Sequence, residues 1–373
     1  MADTHLGFSA YRKVTKEGVN QREIDIYDSF ERCIDYIIKS KPDIVIHAGD
    51  LFDSVRPTNR AISIALNQII RLSEEKIPFI IISGNHETPK LKETGNIFKI
   101  FDHLKFVYPI YNNDYKKISF EIDNKKIIIH AIPHFQTKDG FSEMLKKVKA
   151  DDSADFNILV AHGAVSGIKE FKMNEFNELF IPVDSLSKKF DYIALGHYHN
   201  YSKILENAFY SGSTERFTFS EVESKKGFIE IKLDKKIKLK FIEIPTRSMV
   251  DFPAIDCLNL GIDIITKKII NILRNIKPDD KIIRIKLNNI SISTYRGIDF
   301  NQIRKICNKA VHFEIKSKII NEGEKRFNEN SKIESIASEF KRFLEDKEIK
   351  EKHLLLKLGL EYIQKFELKD EAR

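Results

Sequence analysis

The sequence predicts an α/β fold of layered β-sheets flanked by helices, followed by a small α+β unit and a terminal helix-loop-helix. Three observations predict it. Short β-branched runs recur, each ending in a turn that carries Asp, Asn or His. Amphipathic helical stretches separate the early runs, as in βαβ units. Beyond Pro245-Thr246-Arg247 the order becomes helix, strand, helix, strand. A length of 373 residues exceeds one usual domain, so the expected division is residues 1–246, 247–325 and 326–373.

The first helix is expected where Tyr27, Phe30, Ile34, Ile37 and Ile38 recur at helical spacing before Pro42. The first strand is Asp43-Ile44-Val45-Ile46-His47, before Ala48-Gly49-Asp50. A second helix starts near Pro57-Thr58 and runs to Glu75, with Ile62, Leu66, Ile69 and Ile70 apolar. The strand Phe79-Ile80-Ile81-Ile82 follows, before Ser83-Gly84-Asn85-His86, and a third helix is expected from Lys92 to Leu104. Asp123-Asn124 should turn a hairpin between residues 117–122 and 126–129. Further strands are Asn157-Ile158-Leu159-Val160 before Ala161-His162, and Tyr192-Ile193-Ala194-Leu195 before Gly196-His197-Tyr198-His199. Continuous apolar runs of this kind suit strands of a mainly parallel sheet, buried on both faces. After Arg247 come a helix from Leu258 to Ile276, a strand from Lys281 to Leu287, a helix from Asp299 to Ala310 and a strand from Val311 to Lys316. A polar linker covers residues 321–325 and 328–331. Apolar stripes through Ile333, Ile336, Phe340 and Leu344, then Leu354, Leu355, Leu358, Leu360 and Ile363, predict the closing helix pair.

Composition narrows the function classes. A 42% hydrophobic content supports a real core, and 31% charged residues suit a solvated surface. No run approaches the roughly 18 apolar residues of a membrane span. The opening MADTHLG lacks the layout of a secretory signal, so a cytoplasmic location is expected. Cys33, Cys257 and Cys307 are too scattered for a disulfide frame or a CxxC metal site and read as buried apolar residues. The net charge of +7 favours a polyanionic partner such as DNA.

The turns after the strands carry the chemistry. In open α/β sheets, ligands gather beyond the carboxyl ends of the strands. Asp3, His5, Asp50, Asn85, His86, His162, His197 and His199 would therefore converge on one rim. Two divalent cations about 3.5–4 Å apart need a bridging carboxylate to offset their repulsion. Imidazole and carboxylate donors without thiolate suit manganese or iron better than a structural zinc. His47, His103, His130, His134, His312 and His353 are read as structural or surface residues.

Asp3-Thr4-His5, Gly49-Asp50, Gly84-Asn85-His86-Glu87, His162 and Gly196-His197-Tyr198-His199, in this order, resemble the calcineurin-like metallophosphoesterase superfamily. Gly49-Asp50-Leu51-Phe52-Asp53 with Arg56-Pro57, and Tyr210-Ser211-Gly212-Ser213-Thr214-Glu215-Arg216, resemble its Mre-eleven/SbcD nuclease family, archaeal members above all. The resemblance covers the first 245 or so residues and continues loosely into the α+β unit, which that family calls a capping domain. It implies a nucleoid-associated homodimer with two manganese ions (Mn2+) per subunit. One ion would be held by Asp3, His5, Asp50 and His199, the other by Asp50, Asn85, His162 and His197. His86 would stabilise the transition state or protonate the leaving oxygen.

The implied activity is a 3′-to-5′ exonuclease on duplex ends and an endonuclease on single strands. The partners would be DNA and a Rad-fifty/SbcC-type ATPase gripped by the terminal helices, and Ile62, Ile100 and Leu104 would form dimer contacts. Alternatives are a phosphatase or cyclic-nucleotide phosphodiesterase of the same superfamily, or a catalytically weakened DNA-end-binding scaffold that regulates an ATPase. Arg56, Arg216 and Arg247 are candidate DNA contacts. Two departures stand out. Many nuclease members have His where this chain has Asp53, so Asp53 and His86 are expected to form a dyad in which the carboxylate keeps the imidazole protonated. The family also places a strand before the D-x-H motif. Here only Met1 and Ala2 precede Asp3, so Asp3 and His5 are expected to lack an anchor that upstream β residues would supply.

Overall fold

The computed structural model of the protein describes residues 1–167, 178–186, 189–234, 237–320, 340–341, 343–344 and 352–370. The expected linker at residues 321–325 and 328–331, and the helix start at Ile333 and Ile336, lie outside the described residues.

Helix α1 (Gln21–Ser40) begins where the Asn20 side chain accepts from the Arg22 N–H and ends at Lys41 in the left-handed conformation. Strand β1 (Val45–His47), helix α2 (Asn59–Glu74, capped by Thr58) and strands β2 (Phe79–Ile82) and β3 (Val107–Ile110) follow. The three strands form a parallel sheet in the order β1-β2-β3. Expected helix 92–104 is replaced by two short 3-10 turns, Lys92–Thr94 and Ile97–Phe101. Gly95 has φ +67°, and the extended Asn96 spends its side chain on the Phe98 N–H, so no continuous ladder can cross them.

A second sheet comprises β4 (Lys116–Ile122), β5 (Lys125–Ile132), β6 (Phe156–His162), β9 (Tyr192–Gly196), β10 (Ser202–Lys203) and β11 (Ala208–Tyr210). Their order is β10-β11-β9-β6-β5-β4. The hairpin turn falls at Asp123 and Asn124, both with positive φ, as expected of a tight turn between antiparallel strands. Helix α3 (Lys138–Lys147) covers its outer face, and β7 (Ala164–Ser166) pairs with β8 (Phe180–Pro182).

The strand patterns explain the layering. On β2, Phe79 and Ile81 join the core beneath α1 and α2, whereas Ile80 and Ile82 face Ile129 and Val160 of the second sheet. Each central strand is buried on both sides for this reason. The four motif-bearing strands are thus divided between two packed sheets, not one mainly parallel sheet as their runs suggested. A continuous apolar run reports burial on two faces but not which sheet supplies the second face. A hairpin, β12 (Gly227–Lys232) with β13 (Lys238–Glu243), closes this part.

Beyond Pro245 the chain builds a separate core. Strands β14 (Met249–Asp251), β15 (Ile255–Asp256), β16 (Ile282–Ser291) and β17 (His312–Ile320) form a parallel sheet centred on β16. Helices α4 (Ile262–Ile276) and α6 (Phe300–Ile306) carry Ile265, Ile269, Leu273 and Ile303 into its core, and α5 (Ile292–Gly297) packs Tyr295 against it. Arg247 ties it back to the first region through Asp25. Helix α7 (Lys352–Asp370) exposes Leu354, Leu355, Leu358 and Tyr362. Among the described residues, no helix is long and apolar enough to cross a membrane.

Candidate metal centre

The rim between the two sheets gathers the motif residues. Asp3, His5, Asp50, His162, His197 and His199 are all buried, although each is polar. Sharp turns aim them. Asp3, His5, Asp50 and His197 have φ between 50° and 101°, a region that L residues occupy at a cost of about 1–3 kcal/mol each. Hydrogen bonds hold the strained backbone in place. The N–H groups of Thr4 and His5 both donate to the Asp50 carbonyl, at 2.8 and 3.0 Å, and Asp3 donates to the Gly49 carbonyl at 3.0 Å. Ala48 donates to the Met1 carbonyl at 2.9 Å, and Leu6 pairs in parallel with Phe52. Residues 1–6 therefore run alongside β1 and its following loop. The expectation that Asp3 and His5 lack an anchor is corrected: the loop they bind supplies it. Gly196 is required by proximity, because a Cβ there would collide with the Ala48 carbonyl oxygen and the His162 ring.

Among the described residues the donors form three groups, two of them fully buried and the third, His5 with Asp53 and His86, reaching the solvent side. Asp3, His5 and His199 bring ligand atoms within 4.8 Å of one another, and so do Asp50, His162 and His197. Asp50 lies between them, with Oδ2 3.2 Å from His162 Nε2 and 3.8 Å from His5 Nε2. Asn85 Oδ1 stands 2.9 Å from His162 Nε2 and 3.2 Å from His197 Nδ1. The fit to divalent cations can be judged from these atoms. Asp3 Oδ2 is buried with no hydrogen-bond partner among the described residues. His5 Nε2 and His199 Nε2 face each other at 3.2 Å. An unpaired carboxylate oxygen beside converging imidazole nitrogens is what a cation would satisfy. The residues fit.

Electrostatics agree. Burial pushes the Asp50 carboxyl up, but the surrounding His162, His86 and His5 outweigh it and hold it well below the usual carboxylate range. Burial pushes His162 down, yet Asp50 and Asp3 raise it to about 9. Buried Glu87, beside the Asp50 charge, is pushed up to about 8 although it accepts from the Phe52 and Gly84 N–H groups at 2.7 and 2.9 Å.

His86 and Asp53 form the solvent side, at 26% and 31% side-chain exposure, whereas the donors behind them are sealed. They meet, but through different atoms from those expected. His86 Nδ1 lies 2.9 Å from the Asp53 backbone carbonyl and 3.9 Å from its carboxylate. The Asp53 carboxylate lies closer to His5, at 3.2 Å from Nδ1. A carbonyl only accepts, so Nδ1 of His86 donates to it.

Several supporting residues escaped the sequence. Glu178 meets His197 Nε2 at 2.9 Å, Glu221 faces His199, and Thr4 shares a 2.9 Å hydrogen bond with His47. Glu87 and Thr4, each inside a motif, carried a sequence signal, whereas Glu178 and Glu221 did not. The structural reading of the other histidines stands: His130 bonds Tyr115 and Asn157, His134 is buried, His312 stacks on Tyr11, and His103 and His353 are exposed. Two candidate DNA contacts, Arg216 and Arg247, are part-exposed and engaged within the chain. Arg216 is held by the Val222 and Ser224 carbonyls and by Thr246, and Arg247 by Asp25 and the Asp280 carbonyl. Their donors serve the fold; Arg56 is exposed. Ile62, Ile100 and Leu104 are half-buried against the first core.

This chain belongs to the calcineurin-like phosphoesterase family, whose pattern matches residues 1–201. Within it, the chain is similar to archaeal proteins named DNA double-strand break repair protein Mre11, in line with the motif resemblance. The protein of Methanocaldococcus jannaschii is 34% identical over 238 residues, 61% of this chain and 58% of that protein. That of Sulfurisphaera tokodaii is 36% identical over 205 residues, covering 53% and 48%. That of Sulfolobus acidocaldarius is 28% identical over 338 residues, covering 84% and 80%. The matched part thus spans about half to three-fifths of the length of the first two relatives.

Proposed function

We propose that the chain is the nuclease subunit of a DNA double-strand-break repair complex, hydrolysing phosphodiester bonds with two Mn2+ ions. The observation that carries this is Asp50 standing between two buried donor groups, with half-exposed His86 beside them. Asp3, His5, Asp50 and His199 would hold one ion, and Asp50, Asn85, His162 and His197 the other. Such a pair supplies Lewis acidity at the phosphoryl oxygens and brings the ionisation of water toward neutral pH. The chain's own residues do the rest. His86, oriented through Nδ1 by the Asp53 carbonyl, would in its imidazolium form give the proton on Nε2 to the leaving oxygen. The Asp53 carboxylate orients His5.

The resemblance supports the finer reading: 3′-to-5′ exonuclease action on duplex ends and endonuclease action on single strands, inside the cell. The exposed Leu354, Leu355, Leu358 and Tyr362 of α7 suit docking of a Rad-fifty/SbcC-type ATPase. The half-buried Ile62, Ile100 and Leu104 suit a homodimer contact. Labelled duplex, plasmid single-strand circles and a chromogenic phosphate diester, each assayed with Mn2+, test the proposal. DNA cleavage abolished by His86→Ala is expected. Hydrolysis of the small diester alone would favour the phosphatase reading, and DNA binding without cleavage the scaffold reading.

A further inference from the structure

Behind His199, on the side away from the other donors, lies a buried ion pair that the chemistry above does not use. Lys226 is 1% exposed and Glu221 3%. Lys226 Nζ donates to the His199 carbonyl at 2.8 Å, to Ser213 Oγ at 2.9 Å and to Glu221 Oε2 at 2.5 Å, which engages all three of its protons. The other carboxylate oxygen of Glu221, Oε1, lies 3.5 Å from Nδ1 of the His199 ring, an ion-pair distance longer than a good hydrogen bond. We infer that Glu221 and Lys226 are positioning residues for the metal centre, holding His199 at both its backbone and its ring.

The geometry has a chemical consequence. An imidazole with one nitrogen toward a carboxylate keeps its proton there and offers the other nitrogen as a lone pair. Here Nδ1 faces Glu221, so Nε2 is the nitrogen turned toward His5. Phe217 closes the opposite side, with its ring 4.9 Å from His199 and 4.8 Å from His5. His197, two residues earlier in the same turn, has its own carboxylate in Glu178. The two histidines are thus set independently.

Stability alone gives little reason for such a pair. A buried ion pair replaced by apolar groups of similar volume is often neutral or stabilising, whereas removal of one partner strands the other. Orientation of a ligand is a reason for the pair to be there.

This inference rests on the metal-centre reading, and the test separates the two. The double variant Glu221→Gln/Lys226→Met removes both charges without stranding either. Mn2+ titration followed by the EPR signal of the free ion measures both sites, and thermal unfolding in chelator reports the metal-free fold. Wild type should bind two ions. The double variant should unfold within a few degrees of wild type and lose affinity about 10–100-fold at one site only. Glu221→Asp, which keeps a charge beside Lys226 but draws the carboxylate back from the His199 ring, should show the same one-site loss in smaller degree and serves if the double variant does not fold. Folded variants with wild-type affinity at both sites would overturn the inference, as would a lowered metal-free Tm with unchanged affinity. Wild type that binds no ion would instead overturn the metal centre itself.

Discussion

The rim of the first region and the small unit after Pro245 are built on opposite terms. The latter is mainly apolar: its helices bury Ile265, Ile269, Leu273 and Ile303 against β16, with Thr266 a buried polar exception. The rim is irregular, with positive φ at four of its donors and six buried polar side chains facing one another. A packed apolar unit is stabilised by area removed from water, whereas the rim is strained and charged, and is held by the layers beneath it. The rim is where positive backbone φ and buried charge coincide.

That contrast can be broken or sharpened by experiment. The largest effect is expected from Asp50→Asn, which removes the carboxylate between the two donor groups. Phosphodiester turnover should fall by about 10³-fold or more. Steady-state kinetics with saturating Mn2+ measure it, and a loss under tenfold would dissolve the distinction between Asp50 and its neighbours. Next comes Arg22→Met. Arg22 is 1% exposed and donates to Asp25 at 2.7 Å, with Glu215 at 3.7 Å, so its removal leaves buried Glu215 without this cation and Asp25 with Arg247 as its cation. Urea unfolding should show a loss of about 3–5 kcal/mol.

Ile269→Ala, fully buried in the small unit, should cost about 2–5 kcal/mol there while leaving Mn2+ affinity at the rim unchanged. Weakened metal binding in this variant would mean that the two regions are not independent. The smallest effect concerns the thiols. Burial pushes Cys33, in the first core, up to about 12 and Cys307, in the small unit, up to about 11. The thiolate is the reactive form, so labelling should be very slow at pH 8 and accelerate as pH rises. Cys307 should label before Cys33 if the smaller unit opens first, as mass spectrometry of a labelling time course would reveal.

Regular elements were legible wherever periodicity was clean. Helices α1, α2 and α4, the hairpin at Asp123-Asn124 and the strands before each motif all stand within a few residues of where their patterns put them. Residues 92–104 were misread because Ile97, Phe98, Ile100, Phe101 and Leu104 have helical spacing, while Gly95-Asn96 breaks the backbone that would have carried it. The motif residues were legible as a set because residue type limits chemistry. Their supporters were not: Glu178 and Lys226 sit in loops and Glu221 ends a single 3-10 turn, where no spacing rule applies.

The sequence by itself determined which groups could hold a cation, because only carboxylate, amide and imidazole side chains recur at strand ends, and it determined which segments must be buried, because their apolar period admits no exposed face. Tertiary structure alone decided that the strands would divide between two sheets with the donors meeting at the seam. It alone turned Asp53 toward His5 and gave its carbonyl to His86. It also paired Arg247 with Asp25 and Arg216 with the Val222 and Ser224 carbonyls. Hydrophobic pattern is a local property that each segment carries with it. Which oxygen faces which nitrogen depends on loops from distant segments packing together, and no single segment encodes that.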